Sequence, residues 1–317
     1  MTNYLLPEMT VAALPDRPLA VVLGNFDGVH LGHRRLLLEA CALAAGIPDC
    51  IPAVWTFTSL AKNSVTPVLT EIPEKLRLIA EAGIRAAVLE EFDCVRGLSP
   101  ETFVREYLVH TLRCAAVVCG EDFRFGKGRA GDVSLLGDLL AKEGILLSVV
   151  PSVMMGGEPI SSTRIRLAVK SGDMEEASAL LGRPFSVCLP VLHGNRIGHT
   201  IGLPTVNQTF PDGHIVPARG IYACICTVDG QRYEAAANVG TRPTVSDGDA
   251  VNCETHILDF DGDLYGQTVR VDFCFRLREE RKFSSVAALK AAIEQDVRDT
   301  RAYFAKHPIP ARKEEKL

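Results

Sequence analysis

The sequence predicts two domains: a doubly wound parallel α/β domain over residues 1–184, and an antiparallel β-barrel with a C-terminal helix over residues 185–317. Three observations predict this fold class. The chain has 317 residues, more than one ordinary hydrophobic core holds. Short apolar runs alternate with helical patterns as far as residue 183, which is typical of parallel sheets. Beyond residue 184, short strands follow one another, as in antiparallel barrels.

The predicted strands of the first domain are apolar runs at residues 19–24, 51–57, 85–92, 115–120 and 145–150. After the first run, one helical face carries Leu36, Leu37, Ala40, Leu43 and Ala44. Residues typical of helix ends agree with this division. Pro73 and Pro100 suit first helical positions, Ser99 suits an N-cap, and Gly83 and Gly144 suit C-terminal caps. Ligands of such sheets bind at the carboxyl ends of the strands.

The second domain shows strand alternation and hairpin signals. The run VRVDFCFRL predicts a strand with one apolar face, formed by Val269, Val271, Phe273 and Phe275. Two dipeptides predict hairpin turns, Asp229-Gly230 and Asp261-Gly262. The segment at residues 284–304 predicts a final helix whose apolar stripe is formed by Val286, Leu289, Ile293 and Val297.

Composition narrows the class of function. The net charge of -5 and the pI of about 5.9 give no basic footprint for nucleic acid, so phosphate binding is expected to be local. The N-terminus does not resemble a signal peptide, and no window approaches a membrane span. The 10 cysteines show no C-x-x-C spacing, which predicts reduced thiols in a cytoplasmic protein rather than disulfides or a zinc site.

The sharpest motif is GNFDGVHLGH at residues 24–33, between the first predicted strand and the first predicted helix. Gly24, Gly28 and Gly32 let backbone approach a ligand closely. His30 and His33 share a face at a helix N-terminus, where free N–H groups favour anions, so they can donate hydrogen bonds to a triphosphate. The alternative is a pair of capping histidines in a glycine-rich turn.

Two further stretches suit phosphate or ring binding. In GEDFRFGKGRAGD, at residues 120–132, Phe123 and Phe125 can bracket a planar ring; the alternative is a loop packed on its own Phe pair. In ISSTRIR, at residues 160–166, Ser162 or Thr163 can cap a helix that projects arginines toward phosphate. An ordinary capped helix with solvated arginines is the alternative there.

The second domain carries a hydroxyl, an amide and a carboxylate. Thr205 and Asn207 alternate with Val206 beside glycines, which suits a magnesium–phosphate site, although a polar hairpin turn explains them equally well. Glu254 lies within the predicted strand VNCETHILDF, and carboxylates are poor strand residues. It is either a general base for an attacking hydroxyl or part of a solvated outer face.

These motifs resemble a known family. H-x-G-H in this setting is similar to the nucleotidylyltransferase superfamily signature, and GNFDGVHLGH resembles the start of bifunctional riboflavin kinase/FAD synthetases. G-x-P-T-x-N at residues 202–207, NVGTRPT at 238–244, the Glu254 strand and DLYG at 263–266 resemble the riboflavin kinase domain. The resemblance covers nearly the whole chain. It implies phosphorylation of riboflavin to FMN by Mg-ATP in the barrel, then adenylylation of FMN to FAD in the first domain, with release of pyrophosphate.

The resemblance also implies residue roles. Glu254 is the implied base of the kinase, and His30, His33 and Arg166 stabilise the adenylylation transition state. Mg²⁺ is held with ATP by Thr205 and Asn207. The remaining implied nucleotide and flavin contacts are Gly24, Phe26, Asp27, Gly28, Gly32, Asp122, Phe123, Phe125, Ser162, Thr163, Gly202 and Pro204.

One stretch departs from the family. Where the family shows T-F-x-P-H-P, this chain has TFTSLA at residues 56–61, without the histidine and both prolines. The family often has Arg where His199 stands, a milder departure. The first departure leaves two alternatives to a fully active bifunctional enzyme: a kinase with a weakened or lapsed adenylylating half, and a flavin- or nucleotide-binding regulator. A nucleotidylyltransferase for another phosphorylated acceptor is a further alternative, and the barrel motifs argue against it.

Overall fold

A seven-stranded sheet forms the core of the first half of the chain in the computed structural model. The structure describes residues 2–6, 10–11, 14, 16–59, 66–192, 205–241 and 251–309. The chain divides into two compact units, residues 1–162 and residues 163–317. The sequence boundary near residue 184 stays a prediction about domains.

The first sheet has the order β2-β1-β5-β4-β3-β6-β7. Its strands are β1 Thr2–Leu5, β2 Thr10–Val11, β3 Leu19–Leu23, β4 Ile51–Ser59, β5 Ala86–Glu91, β6 Cys114–Gly120 and β7 Leu146–Val150. The five from β3 to β7 pair in parallel, and the strand order reverses between β3 and β6. That reversal is the topological switch point, where ligands of such sheets bind. Strands β8 Met154–Met155 and β9 Glu158–Pro159 form a small separate hairpin.

Helices separate these strands, as the alternation predicts. They are α1 Leu31–Gly46, α2 Ile72–Glu81, α3 Phe92–Val95, α4 Pro100–Thr102 and α5 Val133–Lys142, with a π-helix Phe103–Thr111 directly after α4 and a 3₁₀ turn Lys127–Arg129. Ser99 caps α4, and Gly83 and Gly144 follow α2 and α5 with positive φ, so these predicted boundaries are confirmed. Pro73 is the second residue of α2 rather than the first.

Buried side chains lie on both faces of the parallel sheet. On β3, Leu19, Val21 and Leu23 join one apolar cluster and Val22 joins another. The second cluster includes Leu37 and Ala40 of α1. Because each face of a parallel sheet needs a cover of helices, the doubly wound arrangement is confirmed.

Helices α6 Ser162–Ser171 and α7 Met174–Leu181 lead into a six-stranded antiparallel sheet. Its strands are β10 Phe185–Pro190, β11 Val206–Thr209, β12 Gly220–Val228, β13 Gln231–Thr241, β14 Val251–Ile257 and β15 Thr268–Arg278, in the order β10-β15-β12-β13-β14-β11. The Leu192 N–H donates to the Asn207 carbonyl at 2.8 Å, which joins the first strand region to the last. The predicted barrel is therefore confirmed.

One of the two predicted hairpins is wrong. Asp229 and Gly230 join the paired strands β12 and β13 with positive φ at both residues, as a two-residue turn requires. The Asp261-Gly262 pair instead lies between β14 and β15, which are not neighbours in the sheet. The dipeptide favours a turn but does not determine whether the two strands that it connects pair with each other. The strand order of the sheet decides that pairing.

A β-bulge corrects the predicted apolar face of β15. Val269, Val271 and Phe273 are buried inside the barrel, as predicted. The register shifts between Ala223 and Cys224, so Phe275 pairs with Ala223 on the outer face. There it stacks on Tyr303 of the C-terminal helix at 5.4 Å. A bulge moves later side chains to the opposite face.

The C-terminal helix, Val286–Lys306, buries a different stripe from the predicted one. Val286 is 67 % exposed, and Leu289, Ile293 and Val297 are only half-buried. The buried residues of this helix are Ala292, Asp296, Thr300 and Phe304. The Asp296 carboxylate accepts two hydrogen bonds from Arg278 of β15, each 2.7 Å long, so a buried ion pair fixes the packing face. None of the helices in the described residues is long and apolar enough to cross a membrane.

Gln208 gives a stability prediction. It is 1 % exposed in the barrel interior, and its amide donates to the carbonyls of Leu189 at 2.7 Å and Val269 at 2.8 Å. The isosteric change Gln208→Glu replaces this donor with a carboxylate facing two acceptors. We expect a loss of about 3 kcal/mol or more in unfolding free energy near neutral pH.

The pH dependence of the Gln208→Glu loss separates charge from shape. Burial raises the pKa of the introduced carboxyl above its unfolded value, so the penalty grows as pH rises through about 4.3 and beyond. Denaturant unfolding at about pH 4.5 should therefore show a smaller loss than at about pH 7.5. An equal loss at both values would mean that packing alone is responsible.

Candidate active sites

The turn after β3 is held by hydrogen bonds from three elements. The Thr56 hydroxyl of β4 donates to the Asn25 carbonyl at 2.9 Å, and the Ser162 hydroxyl donates to the Asp27 carbonyl at 2.8 Å. The buried Asp27 carboxylate accepts from the backbone N–H groups of Leu69 at 2.9 Å and Thr70 at 3.2 Å. In this structure Asp27 therefore anchors residues 69–70, and its predicted contact with nucleotide stays a prediction.

The two histidines of the motif lie together at the start of α1. His30 is the N-cap, and its Nδ1 accepts the His33 N–H at 3.2 Å. The two rings stack at 3.6 Å with an angle of 16° between their planes, and Phe26 lies 5.1 Å from His33. The capping alternative is correct for His30. It does not exclude catalysis, because the cap presents both imidazoles at the helix N-terminus, where anions bind.

The glycines of the motif accommodate protein side chains. A Cβ on Gly24 would lie 2.9 Å from the Phe26 ring, and one on Gly32 would lie 3.1 Å from the His30 ring. Gly28 adopts a φ of 85°, which favours glycine. Gly24 and Gly32 thus leave room for the Phe26 and His30 rings, and Gly28 allows the positive φ of the turn. Close approach of a ligand to these glycines stays a prediction.

The loop after β6 lies across the switch point from the histidine turn, because β3 and β6 are neighbours. Phe123 and Phe125 stack on each other at 5.8 Å and 15°, and Phe125 is buried against Phe103. The rings therefore do not bracket a third ring as they stand, which matches the alternative of a loop packed on its own Phe pair. Asp122 is exposed at the start of this loop.

Helix α6 begins one residue earlier than the capping prediction requires. Ser162 and Thr163 are its first two residues, so neither is the N-cap. Thr163 is exposed, and Arg166 is half-buried one turn along the helix. Arg164 pairs with Glu176 of α7, so this arginine is held within the second unit. The phosphate roles of Ser162, Thr163 and Arg166 stay predictions.

Lys75 is a buried cation that the sequence analysis missed. Its ammonium donates to the carbonyls of Phe57 at 2.8 Å and Asn25 at 3.2 Å, so it joins the ends of β4 and β3. Burial lowers the pKa of Lys75 to about 8, while the charge of Asp27 acts in the opposite direction. The only sequence signal was a lysine on the otherwise apolar side of α2.

Stability should depend on Lys75 at alkaline pH. Since its pKa is about 8 when folded and 10.5 when unfolded, the folded state bears the cost of a buried charge below about pH 8. As pH rises, the folded protein loses this proton first and the cost disappears. Between about pH 7 and pH 10.5, the unfolding free energy of the wild type should gain roughly 3 kcal/mol relative to Lys75→Met. Denaturant titrations under reducing conditions measure this gain, and a difference independent of pH would contradict it.

A second group of polar residues lies on the outer face of the barrel. Side chains of directly paired residues point to the same face of a sheet. Glu254 pairs with Asn207 of the neighbouring strand β11 and with Asn238 of the other neighbouring strand, β13. Two residues before Glu254 on β14, Asn252 pairs with Thr209, whose hydroxyl donates to the Asn252 side-chain oxygen at 2.8 Å. We call these five residues the polar face. Their neighbours in sequence, including the buried Cys253 and Thr255, point into the barrel.

The structure thus brings together three predicted site residues. Asn207 and Glu254 are cross-strand partners, and Thr205 lies two residues before Asn207, whose amide donates to the Thr205 carbonyl at 3.4 Å. Glu254 is half-buried, and no residue in the described part of the chain donates a hydrogen bond to its carboxylate. Gly202, Pro204 and His199 lie outside the described residues, as do Leu60 and Ala61 of the departing stretch and the end of NVGTRPT.

The polar face continues toward a cavity. His256, two residues along β14 from Glu254, lines an open cavity of about 330 Å³. The cavity is bounded by the end of β14 and by the C-terminal helix, through Leu258, Asp259, Glu294, Val297, Arg298 and Arg301. This volume lies at the lower end of the range for small-molecule sites.

Fold and sites together define a class of protein. A histidine pair at a helix N-terminus beside a switch point, followed by a barrel with a carboxylate between two amides, indicates an enzyme that acts on phosphate esters at two places. The family model described as FAD synthetase matches residues 13–164, and the model described as riboflavin kinase matches residues 181–304. The chain belongs to the bifunctional riboflavin kinase/FMN adenylyltransferase family, as its relatives show.

Three of these relatives match along nearly their whole length. The bifunctional riboflavin kinase/FMN adenylyltransferase of Pseudomonas fluorescens is 36% identical over 298 residues, covering 91% of this chain and 94% of its own. That of Listeria monocytogenes is 34% identical, covering 96% and 98%. That of Escherichia coli is 35% identical, covering 92% and 94%.

One solved structure resembles the chain over a similar length. It is described as a macrolide-efflux protein from Streptococcus pneumoniae, with a TM-score of 0.81 and 32% identity, and the match covers 91% of this chain and 95% of that one. The match extends over residues of both units of the chain.

Proposed function

We propose that this chain makes flavin cofactors in two steps. The barrel unit phosphorylates riboflavin to FMN with Mg-ATP, and the α/β unit adenylylates FMN to FAD and releases pyrophosphate. The observation that carries the kinase assignment is the cross-strand pairing of Glu254 with Asn207, which puts a carboxylate and a proposed oxygen ligand next to each other on one face. The two family matches, in this order along the chain, support the division of labour.

In the barrel, Glu254 is the proposed general base. Its carboxylate takes the proton from the terminal hydroxyl of riboflavin while that oxygen attacks the γ-phosphoryl group of ATP, and ADP leaves. Thr205 and Asn207 offer a hydroxyl and an amide oxygen, which are the hard ligands that Mg²⁺ accepts. Bound with the nucleotide there, Mg²⁺ would neutralise phosphate charge.

In the α/β unit, the FMN phosphate attacks the α-phosphoryl group of a second ATP. This phosphate is largely ionised near neutral pH, so the reaction needs charge stabilisation rather than a strong base. His30 and His33, at the N-terminus of α1, are the proposed donors to the charge that grows on the phosphoryl oxygens. Arg166 is the proposed third donor, contributed by α6.

The domain boundary near residue 184 belongs to the same proposal. The two family matches end at residue 164 and begin at residue 181, so α6 and α7 lie mostly between them. We propose the cytoplasm as the location, because both reactions consume ATP.

The test is a single incubation. Purified protein is mixed with riboflavin and Mg-ATP, and FMN and FAD are separated by chromatography; a second incubation starts from FMN. Both products are expected. FMN without FAD from either start would mark a lapsed adenylyltransferase, consistent with the sequence departure at residues 58–61. In that case, replacing Ser59-Leu60-Ala61 with Pro-His-Pro tests whether the loop is responsible. Flavin binding without either product would indicate a regulator.

A further inference from the structure

We propose that Asn238 positions riboflavin for phosphorylation, by accepting a hydrogen bond from a ribityl hydroxyl next to the one that reacts. This inference rests on the proposed kinase activity of the barrel. It adds to Glu254 a second residue that recognises the alcohol substrate.

The register places Asn238 beside the proposed base. Asn238 of β13 is the direct cross-strand partner of Glu254, so their Cβ atoms lie roughly 5 Å apart on the same face. Asn207 occupies the corresponding position on the other side of Glu254. The three side chains therefore form one row across β11, β14 and β13, with the carboxylate in the middle.

Among the residues that the structure describes, none donates a hydrogen bond to the side-chain oxygen of Asn238. This Oδ1 atom is buried. A buried amide oxygen without a partner is costly because its interaction with water is lost, and native structures rarely keep one without a reason. The neighbouring Glu254 cannot satisfy it, because an ionised carboxylate only accepts hydrogen bonds. None of the described residues supplies the donor, and we infer that the substrate does.

The position in the row identifies the donor. Thr205 and Asn207 are the proposed holders of the nucleotide and metal, so the phosphoryl donor approaches Glu254 from the β11 side. The alcohol then approaches from the β13 side, where Asn238 lies. Riboflavin carries several hydroxyls along its ribityl chain. When the terminal hydroxyl meets Glu254, the adjacent hydroxyl is the donor nearest to Asn238.

The experiment compares two substrates. One is riboflavin, and the other is a flavin whose side chain is 5-hydroxypentyl, with the same length and terminal hydroxyl but no internal hydroxyls. Wild type should prefer riboflavin at least tenfold in kcat/KM. Asn238→Leu should lose about tenfold with riboflavin and little with the analogue, since one hydrogen bond to a neutral group is lost. Gln295→Leu replaces an exposed amide on the C-terminal helix, outside the polar face, and is the control that should keep the preference.

Asn238→Asp gives a second readout. It keeps an acceptor oxygen, so the preference for riboflavin should survive. The added carboxylate beside Glu254 should move the acidic limb of the kcat/KM profile to higher pH, because like charges raise each other's pKa. The pH shift requires only that residue 238 lies beside Glu254, so it checks the placement. The preference kept in Asn238→Asp but lost in Asn238→Leu separates substrate recognition from a merely structural role.

Several outcomes would overturn the proposal. One is a wild-type enzyme without preference between the two flavins; others are a Leu variant that keeps the full preference and one that loses equally with both. If Asn238→Leu changes only the KM for Mg-ATP, Asn238 contacts a water molecule of the bound Mg-ATP rather than the flavin, and the proposal is wrong. If wild type phosphorylates neither flavin, the proposed function itself has failed, and that result is separate.

Discussion

Replacing Glu254 with Gln should lower the rate of FMN formation from riboflavin by about 10²–10⁴-fold, which is the usual contribution of a general base. The amide keeps the shape of the side chain but cannot take a proton. Because Glu254 receives no hydrogen bond from the described residues, the change should leave the fold of β14 intact. Steady-state kinetics at saturating Mg-ATP measure the effect, and kcat should fall rather than KM rise.

Two controls distinguish loss of the general base in Glu254→Gln from a general loss of activity. FAD formation from supplied FMN should persist in the same variant, since that reaction belongs to the other unit. The second control is Glu280→Gln. Glu280 carries a carboxylate close to Gly240 of β13, and this variant should keep nearly full kinase activity. If Glu254→Gln retains near-wild-type turnover, another group is the base.

The histidine pair should give the second large effect. His33→Ala removes one donor from the N-terminus of α1, and FAD formation from FMN should fall by about 10²–10³-fold. Riboflavin phosphorylation should stay nearly unchanged. Single-turnover measurements with FMN and excess Mg-ATP follow the adenylylation step directly.

His30 needs a different substitution, because it also caps the helix. Its Nδ1 accepts the His33 N–H, so Ala would disturb the turn as well as the chemistry. His30→Asn keeps an N-cap acceptor and removes the imidazole. We expect a comparable loss of adenylylation with an unchanged thermal midpoint. Loss of both activities in a folded His30→Asn, His33→Ala variant would sink the model of two separate sites.

Local sequence patterns predicted the parts of the fold that local physics decides. The helix N-terminus at His30, the cap at Ser99 and the turn at Asp229-Gly230 all depend on residues close in sequence. The placing of Thr205 and Asn207 on one face also followed from strand alternation, and the register then added Glu254.

The failures share one cause, which is pairing between distant segments. The bulge opposite Ala223 turned Phe275 outward, and the Arg278–Asp296 ion pair selected the packing face of the final helix. In both cases the interacting residues are far apart in sequence, so local patterns do not predict the contact. Asn238 was missed for the same reason, since only the register of β13 with β14 places it beside Glu254.

The barrel closure has a consequence for how the kinase unit responds to its nucleotide. Strands β10 and β11 meet at a seam held by the Leu192–Asn207 backbone bond and by the Gln208 amide, whereas the other neighbours share full ladders. Asn207, a proposed nucleotide ligand, lies on that seam. We therefore expect opening fluctuations of the barrel to begin beside the proposed nucleotide site. Bound nucleotide should then slow amide hydrogen exchange first along β11, because it stabilises the closed barrel at this seam.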